Sequence, residues 1–431
     1  MKRGFYTIMA AQFFSSLADN MLFIAAIQML LLLEGPEWLT PLLKWCFTLS
    51  YVVLAAFVGA FADSRPKGKV MFATNTLKIF GCSMIFLAAG VTIPGMHSYW
   101  LVLVAYAIVG LGAAAYSPAK YGILTELLPP EQLVIANGWI EGLTVGSIVL
   151  GTLLGGVLIS PEVSNRLLKF DFPMIDTPVD TAPEAAILFI ALAYIIAAGF
   201  NLRIPDTGAR YPQQQKNPWR LLVEFSHCFR VLWSDKLGQI SLAVTTLFWG
   251  AGATLQVITI KWAEKQLKMP LDRASILLGV SAIGIAVGAV LAARVPLKKS
   301  LSVLPYGIAM GFFVMVLVWV NWMPAVYIVL MLVGAMAGYF VVPMNALLQH
   351  RGHVLLSAGH SIAVQNFNEN ASILMMLAIY ALMIRMHMPI NLIIVIFGGF
   401  VAGAMLLILK WNQANHRADP DLDRHIGEAK H

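Results

Sequence analysis

Segments of about twenty consecutive apolar or small residues recur along this chain, and no other feature limits its folding as strongly. A run of that length crosses the hydrocarbon of a bilayer as a helix. Inside hydrocarbon every backbone N–H and C=O must be satisfied by the protein, which leaves only helices and closed barrels. None of the segments alternates apolar and polar residues as a barrel strand does, so the spans are helical. Composition points the same way. Of 431 residues, 59% are hydrophobic and 12% charged, against about 25% charged in a soluble domain. The chain reads as an all-α polytopic membrane protein built as one large helical bundle.

Twelve spans are expected, near 6–33, 41–62, 70–92, 99–125, 133–159, 185–203, 239–260, 273–294, 301–320, 324–349, 358–384 and 390–411. The opening MKRGFYTIMAAQFF carries two basic residues before an apolar run. That run continues to about Leu33 with no small-x-small cleavage site before Glu34, so it reads as an uncleaved first span. Basic residues gather in alternate loops: Arg65, Lys67 and Lys69, then Arg203 through Lys236, then Arg294, Lys298 and Lys299. The positive-inside rule therefore puts both termini in the cytoplasm. It also accounts for the net charge of +7 without any nucleic acid. Cys46, Cys82 and Cys228 show no pairing or metal-ligand spacing, so no disulfide, metal or cofactor is expected.

The longest inner loop, 204–238, separates an N-terminal six-helix bundle (1–203) from a C-terminal one (239–411), followed by a tail (412–431). Its second half, PWRLLVEFSHCFRVLW, places Trp219, Leu222, Phe225, Phe229 and Leu232 near one helical face, with Arg220, Glu224 and Arg230 largely off it. That pattern suits a helix lying on the inner membrane surface; the alternative is a partly ordered connector. The two bundles resemble each other. Gly59-x3-Asp63-x-Arg65 closes span two as Gly288-x3-Ala292-x-Arg294 closes span eight, and Pro118 in span four corresponds to Pro343 in span ten. Six-span repeats of this kind point to a transporter that rocks around a midplane site. Gly138, Gly142 and Gly146 in span five, and Gly284 and Gly288 in span eight, have the small-xxx-small spacing of close helix packing.

Polar residues inside the spans are the candidate site. A charge at the bilayer centre costs roughly 3 kcal/mol even on the lenient insertion scale. Asp19 and Asn20 lie roughly 18–20 Å into span one, close to the bilayer middle. Glu141 lies in span five, and Gln365, Asn366 and Glu369 share the broad polar face of span eleven. Lys120, in AAAYSPAKYGILTEL, follows a long apolar run and is flanked by Tyr116 and Tyr121. Lys78 in span three reads as a structural bridge or as snorkelling to headgroups. Trp249 and Gln256 in span seven, with Asn345 and Gln349 in span ten, are placed to line the other side of a cavity. Structural ion pairing is the competing reading for each charge.

Gly59, Asp63 and Arg65 resemble the loop signature of the major facilitator superfamily. Its acid takes up backbone N–H groups at a helix start and binds basic residues to latch the two halves. The copy departs from the pattern: Ser64 occupies a usually basic position, Gly68 comes late, and the second half lacks the acid. The superfamily's antiporter signature is half present, with Gly142, Gly151 and Gly155 in place but Gly156 where proline is expected. His416-x4-Asp421 matches a lipid acyltransferase pattern, but too little chain follows for a catalytic domain, so no enzymatic activity is expected.

The resemblance becomes specific in FFSSLADNMLFIA (13–25), AAAYSPAKYGIL (113–124), SLAVTTLFWGAGATL (241–255), GYFVVPMNALLQ (338–349) and AVQNFNENASILMM (363–376). These resemble the bacterial lysophospholipid transporters of the major facilitator superfamily, across essentially all twelve helices. The resemblance implies the major facilitator fold and the inner membrane of Gram-negative bacteria. It implies movement of lysophosphatidylethanolamine and related lysophospholipids from the outer to the inner leaflet, and re-acylation by an acyl-carrier-protein-dependent acyltransferase partner. It also implies that Asp19 and Asn20 are the family's polar pair, Lys120 its span-four lysine and Glu369 its span-eleven acid. Gln256 departs from the family's arginine, and the outer loop 160–184 and the tail are long. A monomer in contact with membrane lipids is expected. On this reading Lys120 meets the phosphate, Asp19 or Glu369 the ammonium, and differential binding to two states drives transport. Two rivals stand beside it: a proton-coupled transporter of a drug or small amphiphile, and a non-transporting scaffold for a lipid enzyme.

Overall fold

Backbone that must satisfy itself in hydrocarbon folds here into long helices joined by short turns. The computed structural model describes residues 3–427 except 37–38, 91–94, 96, 169–178, 180, 213, 215–216 and 270. Residues 169–178 and 180 of the expected outer loop 160–184, and the end of the tail, lie outside the described residues. The helices are α1 (Arg3–Leu32), α2 (Leu39–Val53), α3 (Ala55–Asp63), α4 (Lys67–Leu87), α5 (Ser98–Leu127), α6 (Leu133–Ile159), α7 (Pro161–Leu168) and α8 (Ala182–Leu202). They continue as α9 (Pro218–Ser234), α10 (Gly238–Gln266), α11 (Leu271–Ala292), α12 (Leu304–Val316), α13 (Met323–Leu355), α14 (Ala358–Arg385) and α15 (Ile390–Ala418).

Among the described residues ten helices are long and apolar enough to cross a membrane. The α2–α3 pair is an eleventh if read as one span, and the shorter apolar stretch Ile276–Ala292 of α11 stands where the remaining span was expected. The sequence drew 41–62 as one straight span, whereas α2 and α3 meet at a 64° bend. No proline causes it. Thr48 and Ser50 each donate to the carbonyl one turn back, on Lys44 and Cys46, in the turns before it.

Contacts divide the chain into two compact units. The first comprises Met1–Leu54, Phe61–Lys120 and Gly146–Pro212; the second comprises Ala55–Ala60, Tyr121–Val145 and Gln213–His431. This boundary differs from a simple cut in the long loop. The start of α6 packs on α11, where Gly138 lies against the Ala289 carbonyl, so 121–145 joins the second unit. The core of the first unit is Leu22, Met29, Leu43, Ile85, Val109 and Ile190 with their neighbours, drawn from α1, α2, α4, α5 and α8.

The second unit is organised by small-residue seams. Gly284 and Gly288 of α11 lie against the carbonyls of Met331 and Ala335, while Gly334 and Gly338 of α13 lie against those of Ser281 and Ile285. Four glycines in two reciprocal pairs thus bring two backbones into contact. In α6 the glycines diverge from the expected packing role: Gly138 is packed, but Gly142 and Gly146 have nothing within 4 Å of a would-be Cβ.

The amphipathic segment of the long loop is α9, capped by Asn217, whose side chain accepts from the Trp219 N–H. Its buried face is Leu221, Cys228 and Leu232, with Phe225 and Phe229 edge-on to Phe367 of α14. Trp219 and Leu222 are exposed. Beyond the expected end at 411, α15 continues to Ala418, and the tail folds back. Leu422 and Ile426 are buried, and the Gly427 N–H donates to His350 Nε2 at 3.0 Å. Arg351 clasps Asp235 through two bonds of 2.6 and 3.1 Å and donates to the His425 carbonyl. His416 meets Asp423 at 3.1 Å, so the histidine of the accidental acyltransferase match serves this tail contact.

The glycine seam predicts a sharp contrast. Gly288→Val forces a side chain into the Ala335 carbonyl and costs about 1–3 kcal/mol or more, whereas Gly142→Ala stays within about 0.5 kcal/mol of the parent. Thermal unfolding of the two purified variants measures this; equal stabilities would remove the seam from the account.

Candidate functional site

Each unit holds a polar constellation of its own. In the first, α1 presents Ser15 and Asp19 one turn apart, and α4 presents Asn75 and Lys78 on a matching face. Lys78 Nζ lies 2.7 Å from Asp19 Oδ2 and donates to Ser15 Oγ at 3.0 Å; Ser15 donates to Asn75 Oδ1 at 2.8 Å. From α8, the Tyr194 hydroxyl donates to the other Asp19 oxygen at 2.6 Å. The Lys78 ammonium faces the rings of Tyr116 and Tyr194, 5.1 and 5.8 Å from their centroids. Gly112 of α5 makes room for the Lys78 stem, and Gly151 of α6 makes room for Asn20. Lys78 is 2% exposed and Asp19 18%, so the pair is enclosed on its cationic side and opens at its acid.

The structure therefore assigns Asp19 an ion pair with Lys78, the residue the sequence read as a structural bridge or as snorkelling. Asn20 turns away and donates to its own helix at the Ser16 carbonyl, 2.8 Å. Tyr116 joins the cluster through its ring, with its hydroxyl buried and without a hydrogen-bond partner among the described residues. Lys120 lies half-buried one turn beyond it. Ser15, Asn75 and Tyr194 were not singled out from sequence. Ser15 carries a usable signal, since it sits four residues before Asp19.

In the second unit a ladder of amides and acids crosses α6, α13 and α14. Asn345 donates to Glu141 at 3.1 Å and accepts from Gln365 at 3.0 Å, and Gln365 also donates to Glu369 at 2.7 Å. One turn away, Asn137 and Gln349 exchange two bonds of 2.9 Å. All six side chains are buried. Four of the residues expected here, Glu141, Asn345, Gln365 and Glu369, are thus brought together. Asn366 is buried beside them, its carbonyl accepting from Asn370. Asn137 escaped notice although it stands four residues before Glu141. Trp249 is half-buried, edge-on to Phe248, and Gln256 is exposed on α10.

The loop signature differs from its expected form. Asp63 ends α3 and pairs with Lys67 at 2.5 Å, both buried, and Lys67 also donates to the Ala62 carbonyl. The N-cap of α4 is Pro66. Gly59 packs against the backbone of His360 at the start of α14, and Arg65 is exposed. Among the described residues no group of three or more His, Cys, Asp or Glu is placed to hold a metal ion.

The sequence model of the Major Facilitator Superfamily matches residues 8–366. The lysophospholipid transporter LplT of Yersinia pestis (strain Pestoides F) is 39% identical over 392 residues, 90% of this chain and 89% of that protein. The LplT of Yersinia pseudotuberculosis serotype I (strain IP32953) matches to the same extent. Among solved structures, a bacterial homologue of the iron transporter ferroportin superposes with a TM-score of 0.70 at 14% identity, covering 96% of this chain and all of that one. The transporter FucP gives 0.68 at 14% identity, with 95% and 98% covered. These two likenesses concern the fold alone.

Breaking the buried pair from either side should be costly. Lys78→Met and Asp19→Leu are each expected to lose about 3–5 kcal/mol, and the variant that combines these two changes to recover much of that loss. Unfolding of the parent and the three purified variants forms the cycle; strictly additive losses would mean the two charges are not coupled.

Proposed function

We propose that this chain, which belongs to the Major Facilitator Superfamily, carries lysophospholipids such as lysophosphatidylethanolamine from the outer to the inner leaflet of a bacterial inner membrane, where an acyltransferase re-acylates them. The chain is a multi-pass membrane transporter and not an enzyme. The substrate class rests on the similarity to the Yersinia lysophospholipid transporters and on the chemistry of the first unit's polar cluster.

The observation that carries the reading is the Lys78–Asp19 pair flanked by two tyrosine rings. A lysophosphatidylethanolamine headgroup is itself a phosphate and an ammonium a few ångströms apart. Such a zwitterion can exchange partners with the pair, phosphate to Lys78 and ammonium to Asp19, without changing the net charge of the site. That exchange avoids stranding a charge in a low-dielectric interior. The opening at Asp19 fits entry from the ammonium side, and the Tyr116 and Tyr194 faces add attraction for a cation. Lys120, one turn from Tyr116, supplies a second phosphate contact along the route. Transport follows if the lipid binds the outward- and inward-accessible states unequally, and re-acylation then removes the product. The chain works as a monomer with both termini in the cytoplasm.

A second reading, coupling to a proton, draws on Glu141 and Glu369, which are joined through Asn345 and Gln365. Protonation of either acid would reorganise the ladder.

Leaflet-resolved uptake of labelled lysophosphatidylethanolamine into spheroplasts tests both. The parent should exceed empty membranes clearly, and Lys78→Gln at equal protein level should fall at least about tenfold, the equivalent of 1.4 kcal/mol. Uptake no better than empty membranes would sink the lipid reading. Abolition by a collapsed proton gradient would move the driving force to the Glu141–Glu369 ladder.

A further inference from the structure

We infer that the second unit carries a separate site for a bilayer phospholipid with a net negative headgroup. It lies where α11 ends and the chain turns through 293–303 into α12. A cleft of about 560 Å³ opens there between α11, α12 and α13. Arg294 and Lys299 line one end, and Leu291, Leu332 and Met336 form an apolar wall. Ser302 donates to the Lys299 carbonyl at 2.7 Å, holding the turn that carries the lysine. Tyr306 and Tyr339 meet edge to face at 4.8 Å and form a further side.

The arrangement selects an occupant. Two exposed cations at the head of a groove attract a phosphate, and the arginine can grip it through two parallel bonds. Basic pockets between membrane helices bind anionic headgroups in this way. A soluble anion has no use for the apolar wall, but an acyl chain does: Leu291 and Leu332 are 46% and 42% exposed and continue the groove away from the charges. Among the described residues no carboxylate lines the cleft. The ammonium of a zwitterionic headgroup therefore finds no acid to pair with here and meets two cations of its own sign, in contrast to Asp19 in the first unit. Net negative charge is the feature the cleft selects.

Native mass spectrometry of the full chain, equilibrated with diacyl phosphatidylglycerol or with diacyl phosphatidylcholine, reads occupancy directly. Phosphatidylglycerol should be retained in preference. Arg294→Gln with Lys299→Gln should lower its occupancy at least about fivefold while leaving phosphatidylcholine retention unchanged. Leu332→Asn, which spares both cations, should weaken it as well. Lys78→Gln should retain the lipid, which separates this site from the transport pair. Equal retention of the two lipids, or full retention by the double variant, overturns the proposal. So does displacement by inorganic phosphate with Leu332→Asn silent, because that outcome describes a soluble-anion site.

Discussion

An acid in the middle of an apolar helix has to be answered by another helix, and in this protein that requirement sets the register of the first unit. Asp19 of α1 receives Lys78 from α4 and Tyr194 from α8, so three helices are fixed in depth and rotation by one carboxylate. Small residues follow from the same demand. Gly112 gives the long lysine stem a channel beside α5, and Gly151 lets α6 approach α1 next to Asn20. Buried ion pairs contribute little net stability when both partners are present and cost much when one is missing. The pair therefore specifies geometry more than it adds strength, and it keeps a charged pair inside the bundle that a ligand of matching charge can engage.

The second unit hides its polarity differently. Its closest helix contacts are backbone against backbone along the α11–α13 seam, where glycine is the residue that fits. Many of its buried polar groups are amides: Asn137, Asn345 and Gln349 each donate and accept, Gln365 donates twice, and Glu141 and Glu369 stand at the ends of the chain that runs through Asn345 and Gln365. Arg351, Asp235 and the folded tail close one end of this unit with a clasp of charge-assisted bonds. The first unit thus centres on one buried ion pair, whereas the second combines backbone contact and an amide ladder with a charged clasp at one end.

The spans were legible because length and hydropathy encode them; α6 runs over 133–159 as expected. The bend after α2 was hidden because no proline or glycine marks it. Asp19, Glu141 and Glu369 stood out as acids in apolar spans, yet Lys78, Tyr194 and Asn137 did not stand out as members of their clusters. Helices that are apolar all round carry little information about which face turns to which neighbour, so Lys78 stood between two readings until Asp19 was seen opposite it. Ser15 and Asn137 were missed although each stands four residues before a recognised acid. Tyr194 gave no such signal, because an aromatic residue in an apolar span usually packs. In α9 the apolar set is split, with Leu232 buried and Trp219 and Leu222 exposed.

The reciprocal pair of Asn137 and Gln349 has a consequence for movement. When two such amides part, each leaves with one donor and one acceptor and no net charge. A water molecule or a lipid ester can satisfy what remains, so separation releases no ion and demands no proton. The contact is consequently insensitive to acidity and ionic strength over the range in which carboxylate clasps loosen. It also has no preferred direction, since the geometry reads the same from either helix. A fastening of this type can open and reclose over many cycles at the same energy, whatever the conditions on the two sides of the membrane.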